Sequence, residues 1–409
     1  MTAHLYLHIP FCQRRCSYCD FNTFANLEHR IEAYVDALCV DLHRARTDAW
    51  DWRRLDRLPD DRSTDGAPSR GLTRADLRPS VFLGGGTPTM LDLGQMERVL
   101  RAAGEHVPLE KAEITTEANP GTVIDEEYLH GLRSLGINRI SFGVQSLHDP
   151  TLRTLGRIHT AAEAIATYRQ ARRAGFERIN LDFIFGLPGQ TLEQWRWTLD
   201  RAVALEADHF SLYSLIVEEG TPLHQQVTRG SISVPDDSET GPMYEMACER
   251  LAAAGYVQYE ISNWAFPGEL PAPLPEFAAH HNVAYWLNAD YLAFGAGAHG
   301  HIYPRRWHDI LGVEQYLAAV CNGRQPIAEV IELSDDDLRA ETMIMGLRLN
   351  AGVAFRHFEE RCGARLLDVY GDEVAQLEAQ ELIERDTVGI RLTNRGRLYG
   401  NQVFERFVT

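Results

Sequence analysis

The sequence predicts an α/β fold: a partial (β/α)6 barrel of the TIM type, then an α+β region ending in a winged-helix-like appendage. Three observations predict it. Short β-like apolar runs alternate with longer helical stretches six times in succession. Right-handed crossovers turn such repeats into a parallel sheet that curls toward a barrel. Polar residues with chemical potential also follow the strand ends, the rim on which barrels assemble their sites.

The strands are expected at Leu5–Ile9, Val81–Leu83, Ala112–Thr116, Arg139–Phe142, Arg178–Phe183 and His209–Leu215. A helix from about Leu27 to Thr47 follows the first. Residues 50–79 break the pattern with mixed arginines, aspartates, glycines and prolines, and read as an exposed insertion. Beyond Leu215 the alternation decays into a helix at Glu239–Ala254, strands at Tyr256–Ile261 and Tyr291–Phe294, a proline-rich loop at Pro267–Pro275 and an irregular stretch at Pro304–Val313. From Ser334 the pattern is helical at Asp335–Arg348 and Leu366–Gln380 and extended at Ile390–Leu392. Thr393 then caps a last helix containing Arg397–Phe407. The expected organisation is therefore a barrel over 1–235, an α+β extension over 236–333 and a helical, winged-helix-like domain over 334–409.

The 409 residues include 58 acidic and 40 basic side chains, a formal charge of −18. That balance opposes broad nucleic-acid or anionic-membrane binding, which wants a basic face. Lys111 is the sole lysine, which reads as codon composition. No apolar run approaches the roughly 20 residues of a membrane span, and the start lacks a signal-peptide pattern. A cytoplasmic protein is expected.

Seven cysteines make an odd number for a disulfide framework. Cys39, Cys248, Cys321 and Cys362 are scattered and read as small buried hydrophobes. Cys12, Cys16 and Cys19 instead fall within eight residues. Structural zinc would require a fourth ligand from His8, Asp20 or a remote residue. The alternative is a [4Fe–4S] cluster with three thiolates and one open iron. The Cx3Cx2C spacing is similar to that of radical S-adenosylmethionine (SAM) enzymes. In that superfamily SAM chelates the open iron, and one electron from the cluster breaks its S–C5′ bond.

Gly84-Gly85-Gly86-Thr87 lets backbone approach a ligand, or else makes a tight strand-to-helix turn. No Gly-Lys-Ser/Thr follows, which rules out a Walker loop. Gly295-Ala296-Gly297-Ala298-His299-Gly300 fits GxGxxG, but no helical stretch follows, so it is rejected as a dinucleotide site. Glu117 and Asp182 would be costly on a barrel lining unless paired, which suits ribose hydroxyls or an amine; Arg157 can pair with a carboxylate. His280-His281-Asn282-Val283-Ala284-Tyr285-Trp286 is the other dense cluster. It reads either as an iron-ligating imidazole flanked by rings that pack on a macrocycle, or as a surface turn with a core Tyr285 and Trp286. Phe294 and His299 are candidates for the same pocket.

Tyr6 through Cys12, Cys19-Asp20-Phe21, the glycine loop, Glu117-Ala118-Asn119-Pro120, Gly143-Val144-Gln145-Ser146, Leu155-Gly156-Arg157 and Asp182 through Gly189 together resemble the oxygen-independent coproporphyrinogen oxidase-like radical SAM family, over nearly the whole chain. The true dehydrogenases of that family carry a fourth cysteine where this chain has Phe21, and an extension ahead of the cluster. The His281-Asn282-x-x-Tyr285-Trp286 stretch is similar instead to the signature of the family's haem-chaperone branch. The resemblance departs at the 50–79 insertion and at the proline-rich residues 268–279.

The resemblance implies that Cys12, Cys16 and Cys19 hold a [4Fe–4S] cluster. It gives SAM-contacting roles to Tyr6, Gly85, Gly86, Thr87, Glu117, Gln145, Arg157 and Asp182. It gives haem to His281 with Asn282, Tyr285 and Trp286, and His280 stands beside them as an alternative ligand. The function implied is haem binding and delivery to respiratory haem proteins, with an electron donor, no nucleic acid, and peripheral contact with membrane-protein recipients. The rivals are oxidative decarboxylation of coproporphyrinogen III and a radical SAM methyltransferase or cyclopropanase on the same scaffold.

Overall fold

Period-2 alternation along the first strand sends Leu5, Leu7 and Ile9 into the apolar layer beneath the helices. His4, Tyr6 and His8 take the opposite face, where they meet polar and aromatic neighbours. The computed structural model describes residues 4–47, 71–122, 125–268 and 273–408. Most of the 50–79 insertion, and residues 269–272 of the proline-rich loop, lie outside the described residues.

The six expected strands form as β1 His4–Ile9, β2 Ser80–Gly85, β3 Glu113–Ala118, β4 Arg139–Gln145, β5 Ile179–Phe185 and β6 His209–Ser214, each parallel to the next. Helices α1 Ile31–Thr47, α2 Leu93–Ala103, α3 Glu126–Ser134, α4 Ala161–Arg173 and α5 Leu192–Val203 cover them. Their starts are legible in sequence: Asp92, Thr160 and Thr191 each form a capping box with the residue three positions on. The helical pattern expected from Leu27 begins as a short 3-10 turn at Glu28–Arg30 before α1.

Segment 236–333 adds strands to both edges of this sheet. Helix α6 Asp237–Ala253 leads to β7 Val257–Glu260 and β8 Asn263–Ala265; β8 pairs antiparallel with β6 on one side and with β7 on the other. Helix α7 His280–Trp286 precedes β9 Leu292–Phe294, which lies parallel to β1 at the other edge. The order among the described residues is β9-β1-β2-β3-β4-β5-β6-β8-β7. A separate antiparallel sheet joins β10 His299–Ile302, β11 Arg305–Asp309 and β12 Ile327–Glu332. The irregular stretch expected at Pro304–Val313 thus contains a strand: Arg305–Asp309 pairs on both sides and buries Trp307.

The C-terminal region has its own core, with Met343, Phe358, Val374, Ile390 and Phe407 among its members. Helices α8 Asp335–Gly346, α9 Phe355–Cys362 and α10 Leu366–Ala379 pack with the small sheet β13 Val353–Ala354, β14 Ile383–Arg385 and β15 Gly389–Leu392, in which β15 is central. Thr393 caps Asn394–Leu398 as expected, but the last helix is interrupted at Tyr399 (φ −108°) before Gly400–Phe404.

Candidate cofactor site and the histidine helix

The cysteine loop is tied at both ends to backbone. Phe11–Cys12 pairs with Phe24–Ala25. Gly86 N–H donates to the Ile9 carbonyl (2.8 Å) and Thr87 N–H to that of Phe11 (2.7 Å). This approach needs glycine: a Cβ on Gly86 would stand 2.6 Å from the Phe11 oxygen, and Gly85 sits at φ +103° against the His8 ring. From beyond the barrel strands, the Ser17 carbonyl accepts from Leu223 N–H (2.8 Å), and Ser17 N–H donates to Leu155 (3.0 Å).

The thiols face a cavity of about 430 Å³ at the C-terminal ends of the strands. Cys12 Sγ is 3.6 Å from Thr87 Oγ1, Cys19 Sγ 4.0 Å from Thr23 Oγ1, and Arg157 Nη1 donates to Cys16 Sγ at 3.3 Å. Among the described residues no three His, Cys, Asp or Glu side chains are gathered to hold a single metal ion. Three thiols round a cavity mouth, without a single-ion knot, fit a cluster whose irons each take one thiolate.

Gly85, Gly86, Thr87, Glu117, Gln145, Arg157 and Asp182 line the same cavity. Glu117 accepts from Gly85 N–H (3.1 Å); burial, and then Asp182, push its carboxyl up to about 8. Asp182 is held by Ser141 Oγ (2.9 Å) and Asn180 Nδ2 (2.8 Å), and burial raises it too. Gln145 closes β4 in a left-handed conformation (φ +66°), beside a register shift after Gly143. Arg157 also donates to the Gly143 carbonyl, which aims it between β4 and the cysteine loop. Tyr6 stands apart. Its hydroxyl meets His8 Nδ1 (3.0 Å) and its ring stacks on Phe82, away from the cavity wall. Sequence reasoning missed Tyr18 and Tyr213 on this lining; the first sits inside the cysteine motif and the second at the end of β6.

The histidine cluster lies at the other end of the barrel. His281 N–H donates to Glu113 Oε1 (3.1 Å), and its Nδ1 meets Ser80 Oγ (2.7 Å), which also meets His4 Nδ1 (2.8 Å). Glu113, Ser80 and His4 all begin their strands. His281 Nε2 bonds the Tyr285 hydroxyl (2.9 Å), so both ring nitrogens are engaged, and only 1% of the residue is exposed. The stretch is a buried helix that closes the N-terminal mouth, not a surface turn. Its rings pack around His281 itself, with Phe82 stacked at 5.1 Å and Tyr285 edge-on at 4.8 Å. Asn282 is half-buried, and Trp286 lies under the Arg348 guanidinium. Phe294 and His299 do not join this pocket. Phe294 faces the helical layer beside His106, and His299 is exposed beside His308, because β9 and β10 carry them to other surfaces.

The radical SAM superfamily model matches residues 6–202, and the HemN C-terminal domain model matches 333–399. "Heme chaperone HemW" of Bacillus subtilis is 34% identical over 407 residues, covering 98% of each chain. That of Mycobacterium tuberculosis H37Rv is 32% identical over 403, covering 98% of this chain and 93% of its own. The chain belongs to the HemW family. The murine "Radical S-adenosyl methionine domain-containing protein 1, mitochondrial" is 34% identical, covering 96% of this chain and 84% of its own. Among solved structures, coproporphyrinogen III oxidase (HemN) from Escherichia coli superposes with a TM-score of 0.78 at 24% identity, covering all of this chain and 90% of that one. It shares the fold. Phe21, which follows the cysteine motif, stands exposed at the cavity. No helix among the described residues is long and apolar enough to cross a membrane.

Proposed function

We propose that this protein is a cytoplasmic haem chaperone on a radical SAM scaffold, which binds haem and hands it to respiratory haem proteins. The observation that carries the reading is end-to-end similarity, at 32–34% identity, to several proteins named as haem chaperones.

Cys12, Cys16 and Cys19 are the residues to hold a [4Fe–4S] cluster, which supplies an open iron for SAM and one electron from an external donor. Around it Arg157 fixes Cys16 and balances thiolate charge, and Thr87 hydrogen-bonds Cys12. Glu117, carrying its proton near neutral pH, and Asp182 offer hydrogen bonds to the hydroxyls or ammonium of SAM. Gly85 and Gly86 keep the loop close, and Gln145 closes the rim. Tyr6 acts one layer below by holding His8.

His281 is the residue to which the haem iron passes during delivery, with Asn282, Tyr285 and Trp286 shaping its helix. Ligation requires the imidazole to release Tyr285 or Ser80, so delivery involves movement of α7. Anaerobically reconstituted protein titrated with haemin tests the function. A Soret shift is expected in the wild type and in His281→Ala, with haem transfer to an apo haem protein faster than from free haemin in the wild type and slowed in His281→Ala. Absence of a Soret shift, or transfer no faster than from free haemin, overturns it.

A further inference from the structure

Resting on the haem-chaperone reading, we infer that the cargo pocket is the large cavity at the N-terminal mouth of the barrel, and that it grips a porphyrin by its apolar faces and a carboxylate rather than through its iron. The cavity measures about 1270 Å³, beyond the roughly 300–1,000 Å³ of ordinary small-molecule pockets. It lies among the segments that enter β2 and β6 and the approach to α7, at the opposite end of the barrel from the cysteine loop.

Its walls suit a flat aromatic ligand. Tyr256 and Phe266 meet edge to face at 5.6 Å, and Phe266 is 45% exposed although it is a large apolar ring. Phe277 adds a third ring, backed by the Arg178 guanidinium at 5.1 Å. Offset and edge-on ring contacts of this kind favour a planar π system over an alkyl chain.

The polar groups suit a carboxylate at the rim. Arg78 is exposed and lines the cavity, and its guanidinium makes no hydrogen bond or ion pair among the described residues. Of the acidic residues at the cavity, Asp76 accepts from Thr73 N–H (2.8 Å) and Oγ1 (3.0 Å), and Asp208 is already bound to Arg172 (2.7 Å) and to Ile179 N–H (2.8 Å). Glu206 and Glu276 are exposed, where water and salt weaken their repulsion.

The histidines offer no free lone pair to iron. His280 lines the cavity, but its Nδ1 accepts the Arg78 backbone N–H (3.3 Å). A neutral ring with Nδ1 as acceptor carries its proton on Nε2, so His280 meets a ligand as a donor. His281 does not line this cavity, and both its nitrogens are taken. Iron coordination therefore belongs to the delivery step and not to the first grip.

The test titrates the full chain with haemin and, separately, with iron-free protoporphyrin IX, following absorbance and tryptophan quenching. Both are expected to bind the wild type with affinities within about threefold of each other. Arg78→Glu, and Ala254→Trp, which puts an indole into the cavity, should each weaken both ligands about tenfold or more, roughly 1.4 kcal/mol. His281→Ala should keep its affinity for protoporphyrin. Haemin binding without protoporphyrin binding would show that iron carries the grip and overturn the inference. If Arg78→Glu and Ala254→Trp bind like wild type while His281→Ala loses haemin, the cavity is not the pocket and the chaperone function stands. Failure of the wild type to bind either ligand would remove the function itself. Arg78→Glu is a surface change, so the test survives misfolding of Ala254→Trp.

Discussion

Arg157 Nη1 stands 3.3 Å from Cys16 Sγ, across 141 residues of sequence. The same guanidinium donates to the Gly143 carbonyl, so one side chain links the cysteine loop, strand β4 and the cavity.

A cation against a cluster thiolate favours the more reduced, more negative state. Arg157→Leu should lower the cluster's midpoint potential by about 60 mV, a tenfold change for one electron, and weaken SAM binding. Redox titration followed by paramagnetic resonance reads the first, and calorimetry the second. An unchanged potential would show the contact to be packing only.

The glycine loop holds the cysteine loop by backbone alone. In Gly86→Ala the added Cβ would press on the Phe11 and Ile9 carbonyls, and about 1–3 kcal/mol of stability should be lost. Iron content after anaerobic reconstitution should fall as well, because Thr87 N–H no longer reaches Phe11. Normal iron loading would refute this coupling.

His281→Ala removes a buried ring and strands Ser80 and Tyr285 without their partner. A loss of about 2–4 kcal/mol in urea unfolding is expected. His281→Gln, which can hydrogen-bond one of the two, should recover part of it. A loss under 1 kcal/mol would mean that α7 is far more loosely docked than its hydrogen bonds imply.

Acid should destabilise the apo protein well before its carboxylates titrate. Burial lowers His4, His301 and His357 to about 3 and His159 to about 4, from 6.5 when unfolded. The unfolded chain takes up protons below 6.5 that the native state refuses, so stability is lost as pH falls from 6.5 toward 3. At pH 5 each such ring costs about 2 kcal/mol. Glu117 runs the other way: its raised value adds stability as pH falls from 8 toward 4.5. The histidines outnumber it, and the urea midpoint should drop between pH 7 and pH 5. A flat profile would contradict their burial as neutral rings.

The barrel strands were legible because each is a short apolar run bounded by turn residues, and the helix starts because Asp92, Thr160 and Thr191 announce them. Gly85, Gly86, Thr87, Glu117 and Gln145 were legible because each lies at or just past a strand end, and parallel strands deliver such residues to one rim; Asp182 within β5 and Arg157 beyond the helix that follows β4 were legible from the family pattern. Tyr6 lies mid-strand with its hydroxyl on His8 Nδ1, off the cavity lining itself. The strand at Arg305–Asp309 was hidden because charged residues flank its single core ring, Trp307.

The amino-acid sequence alone determined the βα repeat, the thiol trio with its spacing, the glycine approach and the family pattern, since all of these rest on neighbours along the chain. Only the tertiary structure decided that the thiols and the His281 helix occupy opposite mouths of one barrel, that both His281 nitrogens are engaged, and that Arg157 reaches Cys16. The reason is physical. Periodicity says which face a side chain takes, but sheet register and loop closure choose which distant residue it meets there.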